Sequence, residues 1–308
     1  MTTCEPPPSV FARIALGSAQ LGLDYGIANQ SGRPSEAQAG ALVRSALARG
    51  CNWFDTAAAY GDSEAVLGRV FAALGLQDRV NVVSKGSALA SDGQTLTSRV
   101  TASLQRLGLA RLAAWLLHDE NQLSAWDDAA GREAGALRAE NRVGSFGIST
   151  YQPENALSAV EEHGLTSVQF PASPLDRRFL RNHVARRLAK TGARLYIRSV
   201  YLQGLCLMEP ARVPGHIFRG REAAQALTDF CVRRGLERDH FCLHYVLQRT
   251  AATNARLVLG VERPEQLARN AALLSAPPVD PASLDEWDAL WPDDVDDLIL
   301  PFRWNVHR

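Results

Sequence analysis

The chain has 308 residues, 46% of them hydrophobic and 21% charged, which is the balance of an ordinary globular protein and excludes a largely disordered one. Lys+Arg and Asp+Glu both number 33, so no global positive field draws the chain to nucleic acid or anionic lipid, and the expected partner is a small molecule. Apolar stretches such as Leu112 to Leu117 fall far short of the roughly 20 residues that cross a bilayer.

The opening Met1-Thr2-Thr3-Cys4-Glu5-Pro6-Pro7-Pro8 has neither a basic start nor an apolar run. Residues 1–9 therefore read as a loose tail without a secretory signal, and the expected location is the cytoplasm. After them, short β-type runs alternate with helical patterns: Arg13 to Leu16, Asn52 to Phe54, Val80 to Val83, Ala113 to Leu117, Ser145 to Ile148, Ser167 to Phe170, Arg194 to Ile197 and Arg256 to Leu259. Helical spacing is read over Glu36 to Arg49, Ser63 to Leu74, Thr95 to Leu107, Pro153 to His163, Arg177 to Lys190 and Pro264 to Ala276. Two more helices, Arg221 to Arg234 and Asp239 to Arg249, precede the last strand, and Ser283 to Trp291 follows it.

Alternation implies parallel pairing, and eight strands close a (β/α)8 TIM barrel in a single domain spanning residues 1–308. The structural alternative, an open doubly wound sheet, lacks a Gly-x-Gly-x-x-Gly after any strand. The apolar tail Leu298 to Trp304 is expected to pack back on the body. Cys4, Cys51, Cys206, Cys231 and Cys242 show no Cys-x-x-Cys spacing, so they read as buried small hydrophobes without a structural disulfide. The histidines form no ligand motif, and no metal is expected.

In such a barrel the chemistry sits at the C-terminal strand ends. The second run ends in Asp55 with Tyr60 five residues on, the third in Lys85 and the fourth in His118. A carbonyl reduction needs a hydride on carbon and a proton on oxygen. A phenol gives up its proton reluctantly near pKa 10, so an ammonium at Lys85 is expected to lower the pKa of Tyr60, with Asp55 holding that ammonium charged. A neutral His118 can donate an N–H to the substrate oxygen. Taken singly, each has a bland reading: a turn-capping acid, a packed tyrosine, a solvated lysine and a core histidine.

The block Asp55-Thr56-Ala57-Ala58-Ala59-Tyr60-Gly61-Asp62-Ser63-Glu64, with Lys85 and His118 at later strand ends, closely resembles the aldo-keto reductase superfamily. Leu16-Gly17-Ser18-Ala19-Gln20-Leu21-Gly22, Gly147-Ile148-Ser149, Gln169 and the segment Gly260 to Asn270 extend the resemblance over nearly the whole chain. The resemblance implies a (β/α)8 barrel that binds NADP(H) extended and reduces aldehydes or ketones. It implies that Ser149 and Gln169 hold the nicotinamide carboxamide, although Thr150 stands where the family usually has asparagine. Arg198 replaces a tyrosine that stacks on the nicotinamide in many relatives, and its guanidinium is expected to lie on that ring. The stretch Ser199 to Gly204 is expected to wrap the pyrophosphate. Gly260 allows close backbone approach, Gln266 and Asn270 reach adenine, and Arg263 takes the 2′-phosphate. Glu262 could instead accept the free ribose hydroxyl of NAD. NADP(H) is favoured over NAD(H).

Gln20 and Tyr25 are substrate-contact candidates along with His118, and Trp115, Phe302 and Trp304 are further candidates for the pocket. This mixture of amide, phenol and indole suits a polyhydroxylated carbonyl such as a sugar derivative. The expected assembly is a monomer or small homo-oligomer. Two other function classes are open: a cofactor-binding regulatory subunit with little turnover, and an aldolase using Lys85 as a Schiff-base nucleophile.

Overall fold

A computed structural model describes residues 10–29, 32–87, 94–291 and 296–304; the expected tail at 1–9 lies outside them. After a 3-10 turn at Val10–Arg13, β1 (Ile14–Gly17) is followed by α1 (Ala19–Gly22), α2 (Glu36–Ala48), β2 (Trp53–Asp55), α3 (Ser63–Leu74), β3 (Asn81–Gly86), α4 (Leu96–Leu107) and β4 (Ala114–Leu117). Then come α5 (Asp128–Ala139), β5 (Phe146–Ser149), α6 (Pro153–Glu161), β6 (Ser167–Pro171), α7 (Val184–Lys190) and β7 (Arg194–Arg198). The chain continues through α8 (Gly220–Arg234), α9 (Arg238–Arg249), β8 (Arg256–Gly260), α10 (Pro264–Ser275), α11 (Pro281–Leu290) and α12 (Asp296–Ile299). The strands close in sequence order into an eight-stranded parallel barrel, with β8 pairing back onto β1 from Ile14↔Leu257 to Gly17↔Gly260. The sequence-expected (β/α)8 TIM barrel is thus the observed fold.

Two apolar layers hold it. Ala15, Val83, Ala114, Leu116, Tyr196 and Val258 from five strands meet inside the ring. A larger cluster fills the space between strands and helices, where alternate strand residues and the apolar stripes of the helices meet. Local chemistry sets the helix ends. Ser35 and Gln38 form a reciprocal capping box on α2, and Gly75 and Gly108 end α3 and α4 in left-handed conformations.

Two departures from the sequence reading stand out. The helix α5 has no counterpart in it, because Asp128–Ala139 buries only Ala130, Ala134 and Leu137 and alanines give a weak apolar stripe. The expected helix from Arg177 begins only at Val184, since Asn182 and His183 adopt positive φ of 47° and 57°. Upstream, Asp176 is drawn into a buried pair with Arg178, Nη2 to Oδ2 at 2.7 Å. The tail packs as expected, with Leu300 and Trp304 buried. Cys51, Cys206, Cys231 and Cys242 are buried free thiols, while Cys4 lies outside the described residues. Among the described residues no helix is long and apolar enough to cross a membrane.

Candidate active site

Parallel register places the chemistry. Gly17 pairs with Asp55, Asp55 with Val83 and Lys85 with Leu116, so adjacent strand ends deliver an acid and an amine to one rim. Lys85 is fully buried and donates from Nζ to Asp55 Oδ1 at 2.7 Å and to the Thr56 carbonyl at 2.8 Å. The other Asp55 oxygen accepts from Gln169 Nε2 at 2.6 Å, and Gln169 Oε1 accepts from Ser149 Oγ at 3.4 Å. Tyr60 lies above this pair: the Lys85 ammonium is 5.0 Å from its ring centroid. His118 stands edge-on to Tyr60 at 5.5 Å between centroids and 82° between planes. All four side chains singled out at successive strand ends converge.

The electrostatics differ from the sequence expectation in one respect. Burial pushes the Tyr60 phenol well above its ordinary range, the Asp55 charge adds to this, and Arg198 opposes it. The net shift is upward where the sequence reading expected Lys85 to lower it, because burial dominates; the ammonium lies 5.0 Å from the ring centroid, and its short hydrogen bonds go to Asp55 and Thr56. Burial also lowers the Lys85 pKa, with Asp55 working against that. His118 is held neutral: burial, then the charges of Lys85 and Arg198, depress its pKa to about 3.

A cavity of about 220 Å³ opens beside Tyr60 and Asp55 and runs to Glu262 and Gln266. Five expected cofactor residues, Arg198, Ser199, Gly204, Gly260 and Gln266, line it together with Gln20 and Tyr25. Ser149 and Gln169 lie behind Asp55 through the hydrogen bonds above rather than on its wall. Asn270 is buried and accepts from the Tyr201 hydroxyl at 3.1 Å, whereas Arg263 is exposed at the start of α10. The Gln266 side chain accepts from the backbone N–H of Glu262 at 2.7 Å and of Arg263 at 3.1 Å, and so fixes the turn into α10. Arg198 Cζ lies 4.1 Å from the Tyr151 ring centroid. Lys85 does not line the cavity, which leaves the Schiff-base alternative without an accessible amine.

Of the aromatic pocket candidates, Trp115 is core: it is buried inside β4 and packs 6.4 Å from Phe146. Trp304 donates to the carbonyls of Asp297 at 3.2 Å and Leu298 at 3.0 Å and so serves the tail. Phe302 meets Tyr151 edge-on at 5.3 Å. Sequence reasoning missed Tyr151 and Asn29, and named Tyr201 and Gln203 only as part of the stretch expected to wrap the pyrophosphate through its backbone. Tyr201, Asn29 and Gln203 line the cavity, Tyr151 supports Arg198, and none belongs to a recognisable spacing. The loops after β1 and β2 interlock: a side chain at Gly22 would collide with the Tyr60 carbonyl, and one at Gly61, where φ is 52°, with the Gly22 carbonyl.

The family model described as Aldo/keto reductase family matches residues 13–292. An aldo-keto reductase of Mycobacterium sp. strain KMS is 30% identical over 201 residues, 63% of this chain and 70% of that protein. The 6-dehydroglucose reductase of Agrobacterium fabrum is 28% identical over 160 residues, 46% of this chain and 51% of that protein. Among solved structures, an aldo/keto reductase from Klebsiella pneumoniae in complex with NADP and acetate superimposes with a TM-score of 0.67 at 22% identity, covering 92% of each chain.

Proposed function

Because the chain belongs to the aldo/keto reductase family, whose members are oxidoreductases acting on carbonyls, we propose that it is an NADP(H)-dependent reductase of an aldehyde or ketone with Tyr60 as general acid. The observation that carries this is the buried Lys85–Asp55 pair at 2.7 Å beneath a tyrosine that lines the cavity and meets a neutral His118 edge-on.

The residues fit an extended dinucleotide. The cavity lining includes Tyr60 and Asp55 as well as Glu262 and Gln266. At its β1/β8 rim Gly260 leaves the space that the Gln20 amide occupies, since a Cβ there would collide with it. Arg198 would lie beside the nicotinamide, and the loop Ser199 to Gly204 would wrap the pyrophosphate through its backbone N–H groups. Gln266, Asn270 and Arg263 would hold the adenosine end, and exposed Arg263 supports the phosphorylated nucleotide. Ser149 and Gln169 fix Asp55 and with it the ribose side of the site.

When bound, such a cofactor supplies a hydride to the carbonyl carbon. Tyr60 gives its proton to the carbonyl oxygen, and its raised pKa keeps it fully protonated until an alkoxide, a far stronger base than phenolate, develops there. His118, neutral, has an N–H to orient that oxygen. Lys85 places positive charge under the ring as the phenolate forms, and Asp55 keeps the amine protonated and fixed. Gln20 and Tyr25 support a polyhydroxylated, sugar-like substrate, as does likeness to a protein named for a glucose derivative.

Tyr60→Phe tests the assignment. Turnover of NADPH with an aldehyde and sugar panel is expected to fall by about 10²- to 10⁴-fold, while fluorescence titration shows NADPH still bound. Unchanged turnover refutes it.

A further inference from the structure

We propose that Arg198, braced on Tyr151, forms with the Tyr25 phenol an anion-recognising subsite beside Tyr60, so that the preferred carbonyl substrates carry a carboxylate. This rests on the reductase reading above and names the substrate class within it.

The charge balance of the cavity is the first support. Asp55 and Lys85 cancel as a pair at 2.7 Å, and His118 is neutral. The remaining ionised group at this end is the guanidinium of Arg198, which lines the cavity. Its contacts are the Tyr151 ring at 4.1 Å and Ser199 Oγ at 3.5 Å; among the described residues no carboxylate pairs with it. Nearby acids are engaged elsewhere. Asp176 receives Arg178 at both oxygens, at 2.9 and 2.7 Å. Glu120 accepts from Thr150 and from the backbone N–H of Tyr151 and Gln152. Glu262 lies at the far end of the cavity, 3.4 Å from Gln266 Nε2.

Arg198 is half-buried, and a partly desolvated cation without a carboxylate partner favours an anionic ligand. Arginine suits this role, because its planar fork can meet both oxygens of a carboxylate while its face rests on an aromatic ring. Tyr25 lines the same cavity and brings a hydroxyl donor, and the Tyr60 and His118 environments both feel the Arg198 charge. That places the cation at the reacting end rather than at the adenosine end. A substrate carboxylate would neutralise the excess charge and fix the distance from anion to carbonyl.

The test compares matched pairs differing in charge, D-glucuronate with D-glucose and glyoxylate with glycolaldehyde, at saturating NADPH. The wild type is expected to favour the carboxylate member by about tenfold or more in kcat/KM, the range of a charged hydrogen bond. Arg198→Met should bring the ratio close to one, with Arg198→Gln and Tyr25→Phe as second variants if circular dichroism shows the first misfolded. A wild-type ratio at or below one, or a ratio unmoved in the variants, overturns the proposal. Weakened NADPH binding with an unmoved ratio overturns it in favour of a cofactor role. If NADPH binds but no pair is reduced, the reductase reading fails instead. Glucuronate quenching of intrinsic fluorescence, set against glucose in wild type and Arg198→Met, then decides the subsite alone.

Discussion

Lys85 illustrates how a residue can be unsurprising in the sequence and costly in the fold. An ammonium with no solvent contact is tolerated only because Asp55 and the Thr56 carbonyl accept hydrogen bonds from it at 2.7 and 2.8 Å. His118 bears the complementary burden, because its surroundings reject a proton. With a folded pKa of about 3 against about 6.5 unfolded, the unfolded chain binds more protons between those values, so His118 makes stability fall as pH drops below about 6.5 and contributes nothing above it. His118→Gln is expected to flatten the decline of the urea midpoint between pH 7 and 4.5; an unchanged slope would show the imidazole titrating normally. The identities of Asp55, Tyr60, Lys85 and His118 were legible because strand ends announce themselves by an apolar run followed by a polar residue. The acidity of Tyr60 was not, because it depends on burial and on where the Lys85 bonds point, and neither is local in sequence.

Elements that shape the site are joined by one acid. Glu120, in the loop after β4, accepts from Thr150 Oγ1, from the N–H groups of Tyr151 at 3.2 Å and Gln152 at 3.3 Å, and from Asn155 Nδ2 at 3.1 Å. It thereby satisfies donors at the start of α6, where a negative charge is also favoured by the helix dipole. Glu120→Ala removes the acceptor of the Tyr151 N–H and of Asn155, while Gln152 and Thr150 keep each other at 2.9 and 3.2 Å, and is expected to cost about 1–3 kcal/mol in chemical denaturation. Because Tyr151 braces Arg198, the KM for substrate should rise with it; no change in either quantity would show the acid to be dispensable. Strand order and most helices were legible from periodicity. The helix α5 was not, since alanine-rich faces pack without a strong pattern, nor was the late start of α7, which follows from the left-handed backbone at Asn182 and His183.

At the scale of the molecule, the barrel leaves no unpaired sheet edge among its eight strands, and ligand binding reads out on the whole of it. A ligand held at 100 times its Kd adds about 2.7 kcal/mol, so NADPH is expected to raise Tm, and to raise it more than NADH at equal concentration. Arg263→Ala should erase the difference between the two nucleotides, and a difference that survives would move the 2′-phosphate contact elsewhere. The interlock of Gly22 with the Tyr60 carbonyl also bears on adaptation. An insertion that reshapes the first loop to admit a new molecule meets the Tyr60 backbone at this interlock, so a laboratory search for altered selectivity does best to hold both glycines constant and diversify Tyr25, Asn29 and Leu207, which line the cavity.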